Sequence, residues 1–364
     1  MTSGNKRFIF LVQGEGRGHM TQAISLYQIL TKNGHEVLHI FIGKSRRRQI
    51  PGFFINAFSV PVEPLYSPNF ISDSHNKSIR LIYSIIYNAR YLKRYFKSLK
   101  RINQVVKQVK PDALINFYDF LGGFYNLFFK PSLKFFAIGH SFMTDHPNFI
   151  FAKGRFPHKK LFLINNYLNS IGAYKKLALS LVAYYPAKVK NTVIVPPLLR
   201  NQLHHIERIN SDFILGYIVN DGYSQEIIDW SLKNPAIRLE IFWDRKGEPE
   251  KKIIGENLTF HQLNADKFLK KMAQCKGMVT TAGFETVCEC MYLGKPVLMI
   301  PVSGQYEQAC NAIDAEKAGA GIQEKSFDIS KLIKYLPSYE NPSESFRMWY
   351  GKGQEIIVRE LTDF

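Results

Sequence analysis

The stretch that most restricts what this chain can fold into is Thr280-Thr281-Ala282-Gly283-Phe284-Glu285-Thr286, followed by Glu289, Gly294-Lys295-Pro296 and the polar run from Gln305 to Ala312. The apolar segment Met278 to Thr281 leads into a small-residue turn, the turn opens a helix, and a Gly-Lys-Pro turn ends that helix before the apolar segment Val297 to Ile300. Strand, helix and strand joined by such short turns form a βαβ unit, which requires a parallel sheet. The start of the helix also suits a ligand. Its free backbone N–H groups and partial positive charge attract a phosphate. One turn in, Glu289 can accept hydrogen bonds from two ribose hydroxyls. Glu307, Gln308 and Asn311 can bond a sugar ring, with Gln305 opening that loop. The order of these elements suits a nucleotide diphosphate with a sugar attached.

These residues resemble the donor-binding signature of GT-B glycosyltransferases, both the UDP-glycosyltransferases and the lipid-linked N-acetylglucosaminyl transferase of peptidoglycan synthesis. The resemblance implies an α/β architecture of two Rossmann-like doubly wound domains facing a cleft. It also implies transfer of a sugar from a nucleotide-diphosphate donor, UDP-linked in this reading, to an acceptor hydroxyl. In the family the carboxylate at the Glu289 position holds the ribose, the pair at Glu307-Gln308 contacts the sugar, and an Asn-Ala pair follows, here Asn311-Ala312. One departure stands out. The family's His-Cys-Gly-Trp-Asn-Ser is Thr281-Ala282-Gly283-Phe284-Glu285-Thr286 here, so the phosphate-touching histidine is absent.

With 364 residues the chain has room for two domains and two apolar cores. Apolar strands alternate with amphipathic helices on both sides of Pro196-Pro197. The expected division is 1–195 for the acceptor, 196–342 for the nucleotide sugar, and 343–364 as a helix that, by the resemblance, returns to the first domain. Expected strands include 8–12, 37–42, 113–117 and 135–138, then 213–219, 238–242, 258–261, 278–281 and 297–300. Expected helices cover 21–33, 79–110 with room for a break, and about 159–185. A net charge of +18 favours anionic partners. Cys275, Cys288, Cys290 and Cys310 form no C-x-x-C pair, which reads as a reduced cytosolic chain with no disulfide frame or metal site. No Asp-x-Asp pair occurs, in keeping with a leaving group stabilised by a helix start and not by a metal, and no cofactor is expected.

A second glycine-rich turn, Gly14-Glu15-Gly16-Arg17-Gly18-His19, lies between the first strand and the first helix. Glycines there allow a sharp bend and close approach of a substrate. A dinucleotide site wants G-x-G-x-x-G and an acidic residue at the end of the second strand. Here the spacing is G-x-G-x-G and the strand ends in Gly43-Lys44, although the basic Lys44 to Arg48 run would suit the 2′-phosphate of NADP. The favoured reading is the acceptor-side loop of a GT-B enzyme, in which a histidine follows the glycines. His19 would then take the acceptor proton. By the same resemblance Asp119, after the strand 113–117, would orient it; the alternative for Asp119 is a helix N-cap ahead of Leu121 and Gly122. His140 could touch the acceptor, or Ser141 could cap a helix. Asn220, with Asp221 and Gly222, could bring N–H groups to the diphosphate or form a polar turn.

The segment 79–110 is basic and aromatic, with apolar Ile82, Ile85, Ala89, Leu92, Phe96 and Leu99 at helical spacing and Arg90, Lys93, Arg94, Lys97, Lys100 and Arg101 on other faces. It reads as a helix packed on a sheet with a solvated basic face, or as an attachment to the inner face of an anionic membrane. Phe120, Phe124, Phe128 and Phe129, with Phe149, Phe151 and Phe156, could enlarge an apolar groove for a lipid-linked acceptor, and Arg46 to Arg48 would lie near the same cleft. No RNA or DNA motif is present, and no apolar run reaches about 18 residues, the length of a membrane span. Two rival functions remain on a similar scaffold: a nucleotide-sugar hydrolase or 2-epimerase, and a non-catalytic nucleotide-sugar binding protein.

Overall fold

The computed structural model describes residues 4–44, 50–69, 81–154, 156–209, 211–218, 221–245 and 247–364. Arg46 to Arg48, Asn220 and the start of the expected 79–110 helix lie outside the described residues. Among the described residues, fifteen strands form two sheets. The first holds β1 (Arg7–Val12), β2 (Glu36–Lys44), β3 (Val62–Tyr66), β4 (Ala113–Phe117), β5 (Lys134–Gly139), β6 (Lys175–Leu179), β7 (Lys188–Val189) and β8 (Thr192–Val195). Its order is β3-β2-β1-β4-β5-β6-β8-β7, parallel throughout except at β7. The second holds β9 (Ile214–Ile218), β10 (Leu239–Trp243), β11 (Lys251–Ile254), β12 (Leu258–Gln262), β13 (Gly277–Thr280), β14 (Val297–Met299) and β15 (Gly321–Gln323). Its order is β11-β12-β10-β9-β13-β14-β15, antiparallel only at β11.

Both sheets are covered by helices on two faces, and the strand sequences show why. Successive side chains of β1 enter different cores: Phe8, Phe10 and Val12 join one, Ile9 and Leu11 the other. β4 is buried along its whole length. Strand order reverses between β1 and β4 and again between β9 and β13. At such a reversal the following loops part to opposite faces and leave a crevice beyond the strand ends. The glycine-rich turn after β1 and the small-residue turn after β13 both stand at such a place.

The structure departs from the expected elements at several points. The break allowed for in the 79–110 segment is present: its described part forms two helices, Leu81–Ala89 and Leu92–Val109. The helix expected over 159–185 is Phe156–Asn169 only. Gly172 turns the chain at φ +69, and β6 then occupies residues that were expected to be helical. The first helix begins at Arg17, so the turn before it is shorter than expected. β3, β7, β8, β11 and β15 were not anticipated, whereas the helix Phe120–Phe129 is the one whose N-cap was the alternative reading of Asp119. Near the C-terminus, helices Ser343–Gly351 and Gly353–Thr362 bring the chain back to the first sheet. There the Phe364 ring lies 5.5 Å from that of Phe136, under Lys6 Nζ at 4.4 Å.

Two adjacent glycines in the Phe120–Phe129 helix are there for space. A Cβ on Gly123 would fall 1.8 Å from the Leu168 carbonyl oxygen of the neighbouring helix. Alanine would gain about 1 kcal/mol of helix propensity. Forcing two backbones apart costs about 1–3 kcal/mol or more, and here the obstacle is main chain, which yields least. Gly123→Ala is therefore expected to lower the urea midpoint despite the better helix former; an unchanged or raised midpoint would contradict this packing.

Candidate active site

β1 ends at Val12, and the helix Arg17–Lys32 places His19 in its first turn. The His19 ring lies nearly flat on that of Tyr118, with centroids 5.6 Å apart and planes 17° apart. Its Nδ1 is 3.3 Å from Gln22 Oε1, one turn along the same helix. Surrounding protein disfavours the charged ring and lowers its pKa from the ordinary 6.5, with Glu307 and the Gln22 bond acting the other way. None of Gly14, Gly16 and Gly18 has positive φ, so a sharp bend does not explain them. Close approach explains Gly14, where a Cβ would lie 1.8 Å from the Gly43 carbonyl oxygen; one on Gly18 would make an ordinary 3.4 Å contact with Glu285 Cβ.

Across the cleft, β13 ends at Thr280, and the buried Thr281 and Ala282 lead to Gly283, the N-cap of the helix Phe284–Leu293. A Cβ on Gly283 would meet nothing within 4 Å, so this helix start faces open space. No side chain caps it. Thr286 is half-buried beside it. Two residues around the cleft hold left-handed backbone without being glycine, Ala282 at φ 57 and Tyr118 at φ 59. Each such residue costs of order 1–3 kcal/mol, a strain that concentrates at functional sites.

Several contacts join the two sides. The His140 ring stacks on Phe284 at 4.1 Å and 14°. Ser141 Oγ donates to Glu307 Oε1 at 2.7 Å, and Gln22 Nε2 donates to Glu285 Oε2 at 3.1 Å. Arg200 Nε donates to Glu289 Oε1 at 2.5 Å. Burial, then the neighbouring Glu289, pushes the Glu285 carboxyl well up, against the opposing effects of Gln22 and Arg200. Burial also raises Glu289, and Arg200 offsets part of the rise. Gln305 begins the helix Tyr306–Lys317; Gln308 Oε1 accepts from the Val302 N–H at 2.8 Å, and Asn311 Nδ2 donates to the Ala282 carbonyl at 3.4 Å.

The structure thus gathers His19, Gly283 to Glu285, Glu289, Glu307 and Asn311 around one cleft, with corrections of role. The expected His19–Asp119 pair is not formed. Asp119 is the N-cap of the Phe120–Phe129 helix, and its Oδ1 accepts from the Leu121 N–H at 2.9 Å and from Ser67 Oγ at 2.7 Å. Its Oδ1 is engaged there, and Gln22 bonds His19 instead. His140 does not stand open to an acceptor: it is buried, with Nδ1 2.8 Å from the Leu179 carbonyl oxygen. Glu289 is 1% exposed and tied to Arg200, not free. Gln22, Arg200, Ser141 and Tyr118 were missed. Gln22 had a signal, since it is three residues past His19 on a helix; Ser141 was read only as a cap beside His140, and Arg200 comes from a distant segment with no signal.

Two parallel-stranded sheets, each with a loop-to-helix turn aimed at a shared cleft, define a GT-B glycosyltransferase fold. Solved structures agree. The glycosyltransferase of kitacinnamycin is similar at TM-score 0.64 and 13% identity, over 98% of this chain and 99% of that one. A UDP-glucosyltransferase from Polygonum tinctorium is similar at TM-score 0.64 and 13% identity, over 100% and 99%. MurG of Acinetobacter baumannii is similar at TM-score 0.56 and 15% identity, over 99% and 100%. No curated protein sequence matches. The family model of glycosyl transferase family 1 matches residues 6–338, and the chain belongs to that family. It is a glycosyltransferase.

Asp119 offers a test of this geometry. Burial raises its carboxyl from 3.8 to about 6, outweighing the bonds from Ser67 and Leu121. A raised acid contributes stability that is complete below its unfolded pKa and lost as pH rises through its folded pKa. Relative to Asp119→Asn, the wild-type chain should lose roughly 3 kcal/mol between about pH 4 and pH 7, measured by urea unfolding at each pH. A flat difference would show that Asp119 is better solvated than described.

Proposed function

We propose that this glycosyltransferase moves a sugar from a UDP-linked donor to an acceptor hydroxyl by one inverting displacement, without a metal ion. The observation that carries the reading is the meeting of two helix starts. The helix holding His19 bonds Glu285 through Gln22, while the uncapped N–H groups at Gly283 face open space. Those N–H groups would take the diphosphate and stabilise it as it leaves. His19, kept neutral near pH 7 by its surroundings, would accept the acceptor proton as the oxygen attacks. Glu289 would exchange Arg200 for the ribose hydroxyls, and Glu307, Gln308 and Asn311 would line the sugar. UDP is chosen because the Polygonum relative is named for it.

The acceptor in this reading is apolar or lipid-linked, presented at the cytosolic face of a membrane. Supporting it, Leu92, Phe96 and Phe128 are exposed large apolar residues, and Lys93, Lys97 and Lys100 are exposed beside the first two. Arg101 is tied to Glu63 at 2.9 Å and lies apart from this use. No helix among the described residues is long and apolar enough to cross a membrane. A surface of this composition binds anionic headgroups and dips apolar side chains among them.

The first experiment is a thermal-shift panel of UDP-, GDP-, dTDP- and CMP-sugars and NADPH, followed by incubation of any binder alone. A UDP-sugar that stabilises the protein and stays intact supports transfer; breakdown or epimerisation alone would favour a donor-processing enzyme, and NADPH as sole binder would refute the reading. His19→Ala is expected to abolish turnover while donor affinity stays within a few fold. Because the histidine pKa is lowered, wild-type turnover should persist below pH 6.5 and fall only in more acidic solution. Separately, sedimentation with phosphatidylglycerol vesicles should capture the protein, phosphatidylcholine vesicles should not, and Lys93→Glu with Lys97→Glu should release it. Equal binding to both vesicle types would remove the electrostatic part of this proposal.

A further inference from the structure

We infer that Gln22 and Glu285 are positioning residues that set the tautomer of His19, so that the base is armed by contact with the donor-side helix. This rests on the reading of His19 as the base. Gln22 is 3% exposed and bonded at both ends of its amide. One end donates, Nε2 to Glu285 Oε2 at 3.1 Å. That leaves Oε1 turned toward His19 Nδ1 at 3.3 Å. A carbonyl oxygen can only accept, so Nδ1 must carry the proton and Nε2 keeps its lone pair. Nε2 is then the basic atom.

The other constraints on the ring agree. Tyr118 stacks beneath it and fixes its plane, and the Tyr118 hydroxyl is itself held by Asn165 Nδ2 at 3.1 Å and by Asn166. Stacking does not choose between the two nitrogens; Gln22 does. The choice depends in turn on Glu285. Its Oε2 accepts from Gln22, while its Oε1 is buried without a protein partner. Oε2 can accept from the Gln22 amide whether or not the carboxyl is ionised. The charged and titratable groups near His19 are Glu307 from the Tyr306–Lys317 helix, Tyr118 after β4, and Glu285 beyond Gln22. If the donor-side helix withdrew, nothing would hold the Gln22 amide. A flipped amide would present N–H to Nδ1, move the ring proton to Nε2, and remove the lone pair from the attacking side.

The tautomer can be read without substrate by long-range proton–nitrogen correlation NMR on nitrogen-labelled protein. His19 is assigned among the ten histidines by comparison with His19→Ala. The expected spectrum has a protonated Nδ1 and an unprotonated Nε2 near pH 7. Gln22→Leu should move the proton to Nε2, and Gln22→Glu, which still accepts from Nδ1, should restore it. Glu285→Leu should give a mixture, and Glu285→Gln should keep the wild-type form. With a working donor and acceptor, Gln22→Leu should lower kcat by about 10- to 100-fold with little change in donor KM. The remaining histidine signals report whether each variant is folded. A wild-type Nε2–H form, or a tautomer unmoved by Gln22→Leu in a folded variant, overturns the inference. Retained turnover in His19→Ala would instead overturn the base assignment and leave the tautomer result standing.

Discussion

Two helices begin at the same place from opposite halves of the molecule, and their like partial charges have to be reconciled there. Both the Arg17–Lys32 and the Phe284–Leu293 helices start on a glycine with no side-chain cap. Each start carries unsatisfied N–H groups and roughly half a positive charge. Brought together in a low-dielectric cleft they repel, unless something negative or strongly accepting lies between. The Glu307 carboxyl lies nearby, bonded to Ser141, and the space beside Gly283 is open. An anionic ligand there would offset the repulsion. Under the proposed reading, affinity for a diphosphate would be a property of the architecture as much as of any one side chain.

The contacts across the cleft are of two kinds with different costs. The His140–Phe284 stack is ring on ring, and its loss would expose apolar area with no charge left behind. The Arg200–Glu289 pair is different. Its carboxylate is almost wholly buried while the guanidinium keeps some solvent. Removing the cation would leave an unpaired buried acid, which is commonly destabilising by about 3–5 kcal/mol. Exchanging the cation for two ribose hydroxyls would keep the acid hydrogen-bonded. The pair keeps this buried acid satisfied.

Much of this was readable in the sequence because it depends on local pattern. The runs 8–12, 113–117 and 278–281 are buried strands, and the small-residue turn before Phe284 opens a helix, because short apolar segments between turn residues have few other uses. The Lys175–Leu179 strand escaped because two lysines begin it and helical periodicity runs up to Asn169. The roles of site residues were less legible than their location. Asp119 follows the right strand, but Ser67, 52 positions earlier, and the backbone of Leu121 both donate to its Oδ1. Nothing in the linear order shows that Arg200 would reach Glu289 or Ser141 would reach Glu307. Such pairings are set by how two separately folded sheets come together, and a single sequence carries no local trace of that.

The chain passes between the halves twice, once after Pro196 and again before Gly353, and the two passages lie side by side: a Cβ on Gly353 would be 3.1 Å from Pro196 Cβ. A single strand of connection would let one lobe swivel freely about it. Two adjacent connections act like paired pins on a door. Twisting and sliding would strain both at once, whereas rotation about the line through them strains neither. The cheapest movement is therefore a one-dimensional swing that parts the His140–Phe284, Gln22–Glu285 and Ser141–Glu307 contacts together, so that access to the cleft and assembly of its polar network share a single mechanical coordinate.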